Sequence, residues 1–143
     1  MLIRLEREQV SAAWDDIKDT LIQALPPTAM PDEDAMLSVL QMILEDKMQA
    51  WVIVDKTASL NAVIITSIVE DIGTMQKNLL IYSLYGYRFI SVDLWQDGLN
   101  TMRRFAASMG CKAILGYTEV PRIIDVVKQL GGSAKTTLVR LEV

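Results

Sequence analysis

The sequence predicts an α/β fold: one domain spanning residues 1–143, with a mixed six-stranded sheet flanked by about four helices. Two kinds of stretch carry this reading. In one, apolar residues recur at spacings of three and four; in the other, short runs are rich in β-branched and aromatic residues. They alternate as β-α-α-β-β-β-α-β-α-β, with no internal repeat and no linker long enough to separate two bodies. A chain of this length buries roughly 68–70% of the surface its unfolded form exposes, which suits a single core.

Leu2 to Leu5 reads as a first short strand. Ser11 then offers an N-cap for a helix bearing Trp14, Ile17, Leu21 and Leu25, which Pro26-Pro27 ends. A second helix, from Asp32 to about Lys47, carries Met36, Leu40, Ile43 and Leu44 on one stripe. Trp51 to Asp55, Asn61 to Glu70 and Asn78 to Tyr87 follow as strands with short links, the signature of an antiparallel meander. The third helix, Leu94 to Met109, places Trp95, Leu99, Met102, Ala106 and Met109 on one face and stops at Gly110. Gly98 inside it permits close approach to the sheet, at a cost of about 1 kcal/mol relative to alanine. Ala113 to Tyr117 reads as a buried strand and Pro121 as the first turn of a fourth helix with Ile123, Val127 and Leu130. Gly131-Gly132 closes that helix before a last strand, Ala134 to Val143.

Composition excludes several function classes. Fourteen basic residues against eighteen acidic ones give a net charge of -4, which repels a phosphate backbone, and no basic run offsets it; no nucleic-acid partner is expected. Arg103-Arg104 falls on the solvated face of a helix. The longest apolar stretches, Ala50 to Val54 and Ala62 to Val69, fall short of the roughly 20 residues that cross a bilayer. Met1-Leu2-Ile3-Arg4 lacks a signal peptide's layout, so a cytoplasmic location without membrane contact is expected. The absence of histidine removes the commonest general base, the usual nucleophile pairs and most zinc or copper sites. Asp32-Glu33-Asp34 reads as the acidic first turn of a helix, so no metal is expected. Cys111 is the only cysteine and serves as a small buried hydrophobe.

The element order over the whole chain resembles the GNAT acyltransferases, and Asn78 to Gly132 covers the family's two best-known motifs. The resemblance implies a turn after the fourth strand whose bare backbone N–H groups grip the pyrophosphate of acetyl-CoA at a helix start. That turn reads Arg88-Phe89-Ile90-Ser91-Val92-Asp93 here. Arg88 matches the first motif position, while Ser91 and Asp93 stand where the family has small residues. Arg88, Ser91, Val92, Asp93 and Leu94 are therefore the cofactor-binding candidates at a degenerate loop. Asp93, three residues before Gln96, is expected to cap the third helix and set negative charge beside the phosphate position. In the second motif, Val120 and Val127 occupy the places of an asparagine and of a proton-donating tyrosine. Glu70 is the candidate base, provided that it faces a dry cleft, and Tyr82, Tyr85 and Tyr87 are expected on one strand face as packing or binding surface.

Arg7-Glu8-Gln9-Val10, Trp14, Ile17-Lys18, Ala24-Leu25-Pro26-Pro27 and Leu79 to Gly86 also look like small GNAT-like proteins of tailed bacteriophages. That likeness implies a virion or head-tail assembly setting with portal, adaptor or tail subunits as protein partners. The leading expectation is thus a non-catalytic interaction protein that uses no cofactor. The alternative is an acetyl-CoA-dependent N-acetyltransferase acting on a small amine or a protein amine.

Overall fold

The computed structural model describes all residues, 1–143. Its sheet has five strands in spatial order β1-β2-β3-β4-β5: Leu2–Arg4, Met48–Val54, Leu60–Glu70, Lys77–Gly86 and Cys111–Gly116. The first four pair antiparallel, and β4 pairs parallel with β5. Five helices cover it: α1 Arg7–Ala12, α2 Trp14–Gln23, α3 Glu33–Leu44, α4 Val92–Ser108 and α5 Pro121–Gln129.

Both faces are buried over β2 and most of β3, which explains why these strands read as continuous apolar runs, whereas the strand expected to be buried over Ala113 to Tyr117 forms as β5 at the sheet edge and is mostly exposed. Along β2, Trp51 and Ile53 point to the α4 side with Leu2, Ile64, Leu79 and Met102. Met48 and Ala50 point the other way, into a cluster with Val10, Leu21, Met36 and Ile65 beneath α1, α2 and α3. Strand β2 begins at Met48 rather than Trp51 because Met48, Gln49 and Ala50 find ladder partners in Ser67, Thr66 and Ile65. Under α4 the indole N–H of Trp51 donates to Thr66 Oγ1 at 2.9 Å, and that hydroxyl donates to Gln49 Oε1 at 2.8 Å. These buried polar groups are thereby matched to one another. Cys111 is half-buried and packs against the same layer.

The helix expected from Ser11 starts earlier and is broken. Glu6 and Gln9 form a reciprocal capping box, so the chain becomes helical at Arg7, and Ala13 separates α1 from α2. The break lets Val10 of α1 and Ile17 and Leu21 of α2 reach one cluster. Helix α3 is capped by Asp32, whose carboxylate accepts from the Ala35 N–H at 2.7 Å.

A β-bulge reshapes β4. Ile65 faces Ser83 and Thr66 faces Ile81, which leaves Tyr82 as the extra residue. The bulge shifts the side-chain phase: Leu79 and Ile81 before it and Leu84 after it all pack on the α4 side. It also puts Tyr82 on the α2 side. Tyr85 and Tyr87 follow it there, with ring centroids 5.2 Å apart and Tyr87 close to Asp16 and Asp19 of α2.

The sixth strand expected over Ala134 to Val143 does not form. Helix α5 ends in a Schellman turn in which the Gly132 N–H donates to Val127 O at 2.8 Å. Beyond it the chain runs exposed and is tied down where Arg140 Nη1 donates to Pro27 O at 3.2 Å. Strand-forming residues need a ladder beside them, and this segment has none.

Candidate functional site

The parallel pairing of β4 with β5 runs from Lys77↔Cys111 to Ile81↔Gly116 and stops there. Strand β4 continues to Gly86, while the chain after β5 leaves through Tyr117 to Val120 for α5. The two strands therefore splay at the Tyr82 bulge, and residues 82–86 of β4 have no strand on their outer side. A cleft of about 260 Å³ opens at that level, lined by Leu84, Gly86, Arg88, Ile90, Trp95, Val120, Arg122 and Ile123. A larger groove of about 680 Å³ lies at the opposite end of the sheet, rimmed by Arg4, Arg7 and Asp46. Its charges answer one another, since both arginines pair with Asp46, and it holds none of the candidate residues.

The cleft sits under the start of α4. Ser91 is the N-cap: its Oγ accepts from the Leu94 N–H at 3.2 Å and its carbonyl accepts from the Trp95 N–H at 2.9 Å. The N–H groups of Val92 and Asp93 have no acceptor in the chain. Two unpaired amides at the positive end of a 17-residue helix are suited to an anion. Two guanidiniums, of Arg88 and Arg122, line the neighbouring cleft. Arg88 has no hydrogen-bond partner, and its charge reaches Asp55. The Asp55 carboxyl is held below its usual range, first by the Thr57 hydroxyl, then by the Ser59 N–H, with Arg88 as a smaller contribution. Arg122 Nη2 donates to Ile90 O at 3.1 Å, and its guanidinium stacks 4.2 Å from the Phe89 ring centroid, which fixes its position. The Trp95 indole N–H is buried without an acceptor, the one orphaned buried side-chain donor in the molecule.

The loop candidates therefore gather at one place and divide by role. Arg88 lines the cleft, Val92 and Asp93 present free amides, and Ser91 and Leu94 satisfy each other. The expected Asp93–Gln96 cap is not made, because Ser91 takes that position two residues earlier. Gln96 Nε2 donates instead to Asn100 Oδ1 at 3.1 Å, and Asp93 stands exposed in the first turn. Glu70 is not brought to the cleft. It ends β3 opposite Lys77, the full length of β4 away, on the order of 30 Å at about 3.3 Å per residue, and it is exposed. Val120 lines the cleft. Sequence reasoning missed Arg122 and Trp95. Arg122 carried a signal, a cation in the first turn of a helix against its dipole, whereas Trp95 reads as an ordinary core position.

No family model matches the sequence, and no curated protein does. Among solved structures, a protein described as a predicted acetyltransferase from Clostridium acetobutylicum, solved with acetyl-CoA, superposes with a TM-score of 0.72 at 12% identity. That match covers 99% of this chain and 95% of the other. The fold is that of the GNAT acyltransferases. AAC(6')-Iy, solved with the bisubstrate analogue CoA-S-monomethyl-acetylneamine, gives 0.71 at 13% identity over 99% of this chain and 96% of its own. Glucosamine-6-phosphate N-acetyltransferase from Arabidopsis thaliana gives 0.66 at 16%, over 99% and 97%. The GNAT reading of the element order stands, with five strands in place of six. The expectation of a fold working without a cofactor is overturned, since two of these neighbours were solved holding acetyl-CoA or a CoA analogue. The likeness to bacteriophage assembly proteins finds no support among the neighbours. No helix is long and apolar enough to cross a membrane.

Proposed function

We propose that the chain is an acetyl-CoA-dependent N-acyltransferase acting on a primary amine. The observation that carries this reading is the open outer side of β4 at the start of α4, where the Val92 and Asp93 amides are unpaired and Arg88 and Arg122 line the cleft. The residues present fit a pyrophosphate-bearing thioester. Two N–H donors at the start of α4 and two guanidiniums lining the cleft are available to the anion, and the open strand provides backbone groups for an extended arm. Asp93 opposes the anion with one exposed carboxylate that solvent screens.

Bound acetyl-CoA would supply the activated acyl group. The chain's part is positioning: it would hold the amine nitrogen against the thioester carbonyl, so that the C–N bond forms as the C–S bond breaks and the amine's proton passes through water to the departing thiolate. Val120 and Val127 carry no transferable proton and the chain has no histidine, so rate enhancement rests on proximity and orientation. The non-catalytic adaptor reading leaned in part on Asp93 capping α4, and Ser91 takes that cap while the Val92 and Asp93 amides stay unpaired.

Incubation with acetyl-CoA and a panel of primary amines, read as free thiol by a colorimetric reagent and as acetylated product by mass spectrometry, tests the proposal. Amine-dependent thiol release that the Arg88→Ala/Arg122→Ala pair abolishes is expected. Thiol release equal to the protein-free control across the panel contradicts it.

A further inference from the structure

The groove of about 680 Å³ at the far end of the sheet carries a polar handle that the fold does not use. Strand β1 stops at Arg4 opposite Trp51, so β2 runs on to Gln49 and Met48 with no strand beside it. Val10, Ile43, Phe105 and Met109 are among the apolar residues that line the groove. Phe105 is held in place there: its ring meets Trp51 edge-on at 5.1 Å, and the Arg4 guanidinium lies 5.3 Å from its centroid. Gln49 also lines the groove, although only 2% of its surface is exposed. The Trp51 indole can only donate, so the Thr66 hydroxyl accepts from it at 2.9 Å and passes its own proton to Gln49 Oε1 at 2.8 Å. This relay fixes which way round the amide lies and leaves Nε2 with no acceptor in the chain. Trp95 Nε1 is the one orphaned donor sealed from open space, so Gln49 Nε2 keeps its contact with the groove.

The charges select the ligand. Arg4 and Arg7 stand against Glu6, Glu8 and Asp46 in the lining, and both arginines already pair with Asp46, so no surplus positive charge awaits an anion. An ammonium group only donates and cannot answer Nε2. A neutral molecule with an acceptor oxygen on an apolar body meets both conditions, and the volume lies within the roughly 300–1,000 Å³ of small-molecule sites. We propose that the groove binds a neutral, apolar carbonyl compound, a ketone, ester or amide, whose oxygen accepts from Gln49 Nε2 while its hydrocarbon part lies against Phe105 and Met109. The site is separate from the start of α4 and does not depend on acyl transfer there.

Fluorescence titration of the full chain with prodan, a neutral aromatic ketone whose emission moves to the blue in apolar surroundings, tests this. A saturable blue shift at one probe per chain is expected. Dimethylaminonaphthalene, the same ring system without the ketone, should displace prodan with a dissociation constant about fivefold higher or more, because it offers Nε2 no oxygen. Gln49→Glu keeps an acceptor for the Thr66 hydroxyl but replaces the donor with an oxygen, and should weaken prodan about tenfold or more. Met109→Lys lies at an exposed position where a cation suits the helix C-terminus, so it should fold as the parent does and weaken prodan about fivefold. Circular dichroism checks that each variant is folded; should Gln49→Glu not fold, the comparison of the two probes on the unaltered chain takes its place. The proposal is overturned by the absence of a saturable shift up to the probe's solubility, by dimethylaminonaphthalene binding as tightly as prodan, or by a folded variant of either kind that keeps the parent's affinity.

Discussion

The two flanks of the sheet are built to different ends. On the α2 side, Val10, Leu21 and Ile65 are completely buried and three helices close the layer. At the β4–β5 margin on the other side, α5 buries only Val126, the strands splay, and an indole N–H, two amides and the Arg88 guanidinium are left without partners. The contrast separates stability from binding. The closed flank holds the fold, and under the proposed function the open one offers its unpaired amides and guanidinium to a ligand, as binding surfaces placed on a rigid scaffold do.

Substitutions on each flank should part accordingly. The largest effect is expected from Leu21→Ala, which empties a fully buried site and should cost about 2–5 kcal/mol in a urea melt. Acetyl-CoA affinity of the folded protein should not change. Arg88→Ala/Arg122→Ala should do the reverse: about 1.5–3 kcal/mol of affinity lost per charged hydrogen bond to the ligand, with a melt little altered at these exposed side chains. Equal losses of stability from both variants would erase the distinction. Gly98→Ala should raise stability by about 1 kcal/mol. The added Cβ would lie 4.0 Å from both Ile53 Cδ1 and Leu2 Cβ, an ordinary contact, and a lower melting temperature would show the helix–sheet spacing to be tighter than that.

The smallest effect concerns acid. Asp55 has a native pKa below its ordinary 3.8, through the Thr57 hydroxyl first and the Ser59 N–H second. Asp71 is lowered likewise by the Thr74 N–H and then by its hydroxyl. Because the folded values are depressed, their stabilisation is fully present above the ordinary carboxylate range and is lost as pH falls through the lower native values. Asp55→Asn should therefore flatten the fall in stability on the acid side of that range, and an unchanged slope would exclude the carboxylate.

Much of the scaffold was legible because side-chain periodicity reports burial directly. The stripes at Ile17 and Leu21, Met36 and Ile43, and Met102 and Ala106 all face the core. What escaped lies where one local preference competes with another. Ser11 looked like a cap, but the Glu6–Gln9 box upstream starts the helix first. The Tyr82 bulge has no glycine to announce it and depends on the register of β3. Ala134 to Val143 has strand chemistry without a neighbour to pair with. At the candidate site, element order pointed to Arg88 to Leu94. The capping role went to Asp93 by its spacing to Gln96, though Ser91 is the residue with an extended backbone, φ -66 and ψ 158, as an N-cap requires. Arg122 and Trp95 join the cleft only through tertiary packing of α5 and α4, which no single-segment pattern reveals.

The most direct test of the central claim is calorimetric titration of acetyl-CoA into the unaltered protein. The unpaired Val92 and Asp93 amides with Arg88 and Arg122 predict saturable heat at one ligand per chain, weakened by added salt because the contacts are charged. A protein that is folded by circular dichroism and takes up no acetyl-CoA at millimolar ligand would contradict it.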